Sequence, residues 1–166
     1  MECFGANEFG QCGIGMNTPV NVALPSMRIA AIVNSASDLA VGARHACALV
    51  EERVRCWGAN TRGQIGTGST SAGLIAMASV VANLTGVSDV QAGGDFTCAL
   101  SAGRVWCWGA NQRGQFGDGT FTDRAFPVAV QLPPSESFAE VVTGEEHACA
   151  RANSGRVFCW GSNHLG

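Results

Sequence analysis

The 166-residue sequence predicts an all-β fold made of β-propeller blades. Each blade spans about 51 residues and holds four short antiparallel strands, and about three blades are present, not enough to close a ring alone. Two observations carry this expectation. One is an internal repeat of nearly constant spacing, and the other is a series of short alternating apolar runs separated by Gly, Ser, Asn and Pro turns.

The repeat is plainest from Cys56 to Gly66, where C-W-G-A-N-T-R-G-Q-I-G returns from Cys107 to Gly117 as C-W-G-A-N-Q-R-G-Q-F-G. An earlier copy runs from Cys3 to Gly13, and a later one begins at Cys159 and reaches Gly166. The leading cysteines are spaced by 53, 51 and 52 residues, and a second marker, Cys47, Cys98 and Cys149, recurs every 51. The chain divides accordingly into a partial first repeat (1–37), repeats at 38–88 and 89–139, and a partial last repeat (140–166).

Within a repeat, Asp89-Val90-Gln91-Ala92, Cys98-Ala99-Leu100 and Arg104-Val105-Trp106-Cys107-Trp108 alternate with the period of a strand rather than a helix. A unit of this size cannot bury its own faces, so neighbouring units must cover them. Trp57, Trp108 and Trp160 occupy one equivalent position and are expected to pack between blades; Trp106 alone departs from it.

Counting from the turns predicts the central hairpins. A two-residue Glu51-Glu52 loop sets Val50 opposite Arg53, Leu49 opposite Val54 and Cys47 opposite Cys56. An Ala102-Gly103 loop likewise sets Cys98 opposite Cys107. The third hairpin has one extra residue, and a three-residue Asn153-Ser154-Gly155 loop with Gly in the left-handed position restores Cys149 opposite Cys159.

The combined pattern, G-x-x-H-x-C-A-L followed by G-x-V-x-C-W-G-x-N-x-x-G-Q-x-G-x-G, resembles the regulator-of-chromosome-condensation repeat in its cysteine-containing bacterial form. The resemblance covers essentially the whole chain. It implies a propeller that grips another protein with one face, as in a nucleotide-exchange factor for a small nuclear GTPase, a secreted inhibitor of β-lactamases and bacterial surface proteins.

Directly opposed strand residues lie about 4.5 to 5.5 Å apart at Cα, a separation that overlaps what a disulfide accepts. Cys47 with Cys56, Cys98 with Cys107 and Cys149 with Cys159 are therefore expected to be bonded. Reduced packing thiols and zinc are the competing readings, since His45-x-Cys47 and His147-x-Cys149 put imidazole and thiol on one strand face. Phe96 stands at the histidine position in the middle repeat while both its cysteines remain, which weighs against metal. Cys12 stands where Ile65 and Phe116 stand, so it is expected to be a small core residue.

Disulfides would place the natural protein outside the cytosol, secreted or on the cell surface, although Met1-Glu2-Cys3-Phe4-Gly5 carries no signal peptide. The net charge of -3 and the scattered arginines argue against nucleic acid as a partner, and no apolar run reaches the roughly 18 residues of a membrane span. Gly66-Thr67-Gly68-Ser69 and Gly117-Asp118-Gly119-Thr120 lack the lysine of a phosphate loop and the several carboxylates of a calcium loop, so they are expected to be turns. His45 and His147 repeat in register, which favours a structural hydrogen bond, and His164 is expected to be exposed. No catalytic residue, cofactor or metal is assigned.

Function then falls to what varies between blades. Phe121, Asp123, Arg124 and Phe126 form the densest mix of aromatic and charged side chains and are the candidate partner contact. The expected function is a non-catalytic protein-binding scaffold. The alternatives are a secreted enzyme inhibitor, an exchange-factor-like activity, and a propeller lyase or hydrolase. Because residues 140–158 and 3–37 together approximate one repeat, head-to-tail closure of a homo-oligomer is expected, with Cys3 competing for Cys149 of the neighbouring chain; the alternative is a fragment of a larger propeller.

Overall fold

The computed structural model describes residues 2–3, 7–13, 27–28, 35–71 and 74–164. Among them there is no helix, and every sheet is antiparallel. β1 (Glu2–Cys3) and β2 (Met27–Arg28) form a two-stranded ribbon. The first full blade is β3 (Asp38–Val41), β4 (His45–Val50), β5 (Arg53–Ala59) and β6 (Leu74–Val80), and the second is β7 (Val87–Ala92), β8 (Phe96–Ser101), β9 (Arg104–Gly109) and β10 (Arg124–Ala129). A third sheet holds β11 (Phe138–Thr143), β12 (His147–Ala152) and β13 (Val157–Gly161). Strand order in each sheet follows the chain, so these are meanders that do not close into a ring.

The tight turns set the register. Glu51 and Glu52 have φ of 50° and 59°, and Ala102 and Gly103 have 50° and 72°, the doubly positive pattern of a primed hairpin turn. Val50 faces Arg53 and Ser101 faces Arg104 next to these turns. Alternation from there puts both cysteine pairs at non-hydrogen-bonded sites, where strands approach most closely. In the third hairpin Gly155 takes φ 85°, and Cys149 faces Cys159 despite the extra residue. Cys47–Cys56, Cys98–Cys107 and Cys149–Cys159 are disulfides, each with Cα atoms 4.1 Å apart.

The core lies between blades. Cys47, Leu49, Val54, Cys56 and Ile65 of the first blade meet Val87, Val90, Ala99 and Trp108 of the second. Phe96, Leu100, Val105 and Phe116 of the second meet Phe138, Val141, Ala148 and Ala150 of the third. Because both faces are covered, all six residues of β4 and of β8 are buried, whereas no residue of the outermost strands β6 and β10 is. The first strands lie innermost: β7 packs on β3 and β4, and β11 on β7 and β8.

Candidate partner-binding face

One end of the blades carries the turns between first and second strands together with the long connections from third to fourth strands. The motif residues of those connections are turned inward. Asn60 Oδ1 accepts the Ile65 amide at 3.2 Å, and its Nδ2 donates to Ser69 O at 2.9 Å. Asn111 repeats this with the Phe116 amide and Thr120 O, both at 3.0 Å, and Asn7 Oδ1 accepts the Cys12 amide at 3.0 Å. Gln64 Oε1 accepts the Arg62 amide and Gln115 Oε1 the Arg113 amide, at 2.9 and 2.8 Å. With the loop thus held by its own asparagine and glutamine, the residue between them is displayed, and it is Phe9, Arg62 or Arg113.

These displayed side chains reach the next blade. Arg62 Nη1 lies 3.1 Å from Asp123 Oδ2, and Arg113 Nε 3.6 Å from Glu146 Oε1. Arg44, in the turn of the first blade, donates through Nε to Asp95 Oδ1 at 3.2 Å and stacks on the Phe9 ring at 5.5 Å. The hydrogen bond to Asp95 raises the guanidinium pKa above its ordinary value. Below them the turns join edge to edge, the Ala43 amide donating to Gly94 O and the Gly94 amide to Glu145 O, both at 3.0 Å. Arg62, Asp95, Gln112, Arg113, Glu145 and Glu146 line a recess of about 490 Å³ with both signs of charge at its rim.

The four candidate contact residues fall in two places. Phe121 belongs to this face and is 71% exposed, while Phe126 lies on the outer strand β10 and is 48% exposed. Asp123 is engaged within the protein, by Arg62 and by the Asn111 amide at 2.8 Å. Arg124 is half-buried at the start of β10 opposite Gly109. Met77, which no repeated motif marks, occupies on β6 the register that Phe126 occupies on β10 and is 66% exposed. Its signal was the apolar run from Leu74 to Val81 on the outermost strand of its sheet.

Asp118, His45, the three repeated tryptophans and Cys12 serve the fold. Asp118 accepts the Thr120 amide and hydroxyl at 2.9 and 2.8 Å, a closed turn. His45 is fully buried and bonded to Thr97, whereas His147 at the same register is exposed, so the two histidines are not equivalent. His164 is exposed and contacts Ser162 Oγ at 2.8 Å, a local contact two residues away. Trp57, Trp108 and Trp160 donate their indole N–H to Gln11 O, Gln64 O and Gln115 O of the preceding loop at 2.8, 2.9 and 2.7 Å. Cys12 is buried as a core residue, and the side chain of Cys3 lies outside the described residues.

Comparison with known proteins agrees with this architecture. A family model described as the regulator of chromosome condensation (RCC1) repeat matches residues 102–151, and a second model of the same description matches 36–64, 87–115 and 138–166. The chain is 28% identical over 165 residues to the ultraviolet-B receptor UVR8 of Arabidopsis thaliana, covering 98% of this chain and 37% of the receptor. It is 35% identical over 157 residues to the probable E3 ubiquitin-protein ligase HERC3 of Homo sapiens, covering 91% of this chain and 15% of the ligase. Among solved structures, human WBSCR16 superposes with a TM-score of 0.82 at 23% identity, and Prp20p of Saccharomyces cerevisiae with 0.79 at 22%. Both superpositions cover 98% of this chain, against 42% and 41% of those proteins, so the chain spans less than half the length of these relatives. The chain belongs to the RCC1 repeat family.

Proposed function

We propose that this chain is a non-catalytic, protein-binding part of a propeller scaffold, which holds its partner on the loop face around Phe121 and on the outer rim at Phe126 and Met77. The observation that carries the reading is the division of labour in the loops. The repeated Asn and Gln side chains are spent on backbone amides, while an exposed aromatic and two arginines stand outward beside a mixed-charge recess, the residue types that anchor protein interfaces. The solved relatives support a protein partner: Prp20p is described with its binding to Gsp1p and histones, and yeast RCC1 (Prp20) in complex with Kap60. A photo-crosslinking amino acid at Phe121, set against one at Ser154 on the opposite end, tests the reading: a discrete adduct from Phe121 alone supports it, and equal labelling from both ends removes it.

The three disulfides favour an oxidising compartment, the cell surface or the outside of the cell. Leu39 and Val41 on β3 are 45% and 73% exposed, although Val90 and Val141, at the register of Leu39, are buried by a preceding blade. The inner strands of a preceding blade would cover this apolar face, from a second copy joined head to tail or from additional repeats. Light scattering separates the two, since a discrete dimer supports closure by a copy and a stable monomer excludes it.

A further inference from the structure

The two junctions between successive blades are built on the same plan but not with the same chemistry. His45, at the start of β4, is fully buried with Nε2 2.9 Å from Thr97 Oγ1 on β8 of the next blade. Thr97 Oγ1 donates its single proton to Gln64 O at 3.1 Å. It therefore accepts from His45, which fixes the neutral ring as the Nε2–H tautomer. Nδ1 is left as a buried lone pair without a hydrogen-bond partner. At the next junction the same two registers hold Phe96 and Ala148, both fully buried in one apolar cluster. The slot is otherwise alike. A Cβ on Gly42 would come within 2.5 Å of His45 Cε1, and one on Gly93 within 2.1 Å of Phe96 Cε1, so both rings sit under a glycine turn that only a missing side chain allows.

We propose that the His45–Thr97 pair makes the first junction an acid-labile hinge, which opens as the surroundings become mildly acidic while the Phe96–Ala148 junction stays shut.

Protonation would place a second N–H at Nδ1, where no acceptor meets it, and a charge where no water reaches. The charged groups that face the ring are Arg44 from its own turn and Asp95 from the turn of the next blade. Asp95 favours the imidazolium and Arg44 opposes it, and the two are paired with each other across this same junction. Burial outweighs both and lowers the imidazole pKa from 6.5 to about 4. An opened junction exposes the ring to water and returns it towards its ordinary value. Between these two values the open form binds one proton more than the closed form. Falling pH therefore favours opening, by up to about tenfold per pH unit.

Hydrogen exchange of the full chain supplies its own control. The Ala43 amide donates to Gly94 O, and the Val90 amide to Asp38 Oδ2, across the first junction. The Gly94 amide donates to Glu145 O, and the Val141 amide to Asp89 Oδ2, across the second. Moving from about pH 7 to about pH 5, protection factors at Ala43 and Val90 are expected to fall at least about tenfold relative to Gly94 and Val141. Transplanting the neighbouring pair, His45→Phe with Thr97→Ala, should abolish that difference. Should this variant fail to fold, an NMR titration of the His45 Cε1–H in the unaltered chain decides. A ring that titrates near its ordinary value with the junction closed, or parallel loss of protection at both junctions, overturns the proposal.

Discussion

Asp38 Oδ2 accepts a hydrogen bond at 3.2 Å from the backbone amide of Val90, fastening the innermost strand of one blade to that of the next with a side chain. Asp89 does the same to Val141 at 3.1 Å. Innermost strands have no further strand to pair with on their inner edge, so their inward amides need an acceptor from elsewhere, and an aspartate in the first half of the preceding inner strand provides one. Asp89→Ala should therefore lower stability by about 1 to 2 kcal/mol, the lower part of the range for a charged acceptor because the carboxylate is half exposed. A fall in the urea midpoint at unchanged slope is the expected result; an unchanged midpoint would show that water replaces the bond without loss.

The Glu51-Glu52 turn is a weak point of the first blade. Two non-glycine residues of like charge sit side by side at φ of 50° and 59°, where Asn-Gly is the preferred pair. Their side chains are exposed, and the backbone contact to the next blade, Glu52 O accepting the Val87 amide at 3.0 Å, does not depend on side-chain identity. Glu51→Asn with Glu52→Gly should raise stability by about 1 kcal/mol, seen as a higher melting temperature with hairpin register and disulfides unchanged.

The three disulfides should not be equally durable. Cys47, Cys56, Cys98 and Cys107 are fully buried, whereas Cys149 is half-buried and Cys159 exposed. A thiolate reductant must reach the sulfur it attacks. Graded reduction with alkylation and mass analysis should thus open Cys149–Cys159 first, with the other two opening later and together with unfolding. Each bridge closes a loop of about ten residues, so its loss should cost roughly 2 to 3 kcal/mol. Simultaneous reduction of all three pairs would contradict the burial difference.

Much of the blade was legible in the sequence because its determinants are local. The Glu51-Glu52, Ala102-Gly103 and Asn153-Ser154-Gly155 turns fix which residues face each other, and that count runs through to the cysteines. What joins one blade to the next was less legible. The partner of His45 is Thr97, and that of Asp38 is Val90, each 52 residues away on another sheet, so no local pattern points to it. The same limit hid the difference between His45 and His147, whose shared motif says nothing about what covers the ring.

The candidate contact shows a similar division. Phe121, Asp123, Arg124 and Phe126 are neighbours in the chain, but the loop enters β10 between them, so one aromatic lies on the loop face and the other on the rim, with Asp123 held by Arg62. Met77 escaped notice because the outer strands vary in sequence and carry register shifts, which obscure the repeat just where it changes face.

The claim that this chain is a scaffold presenting a partner-binding face is tested most directly by measuring affinity and stability on the same variants. For a partner captured by the Phe121 crosslink, Phe121→Ala combined with Phe126→Ala should weaken binding at least about tenfold, since exposed aromatic anchors commonly account for 1 kcal/mol or more each (about 2 kcal/mol in all). The melting temperature should not change, because neither side chain is buried in the core. Unchanged affinity, or affinity and melting temperature lost together, would contradict the account.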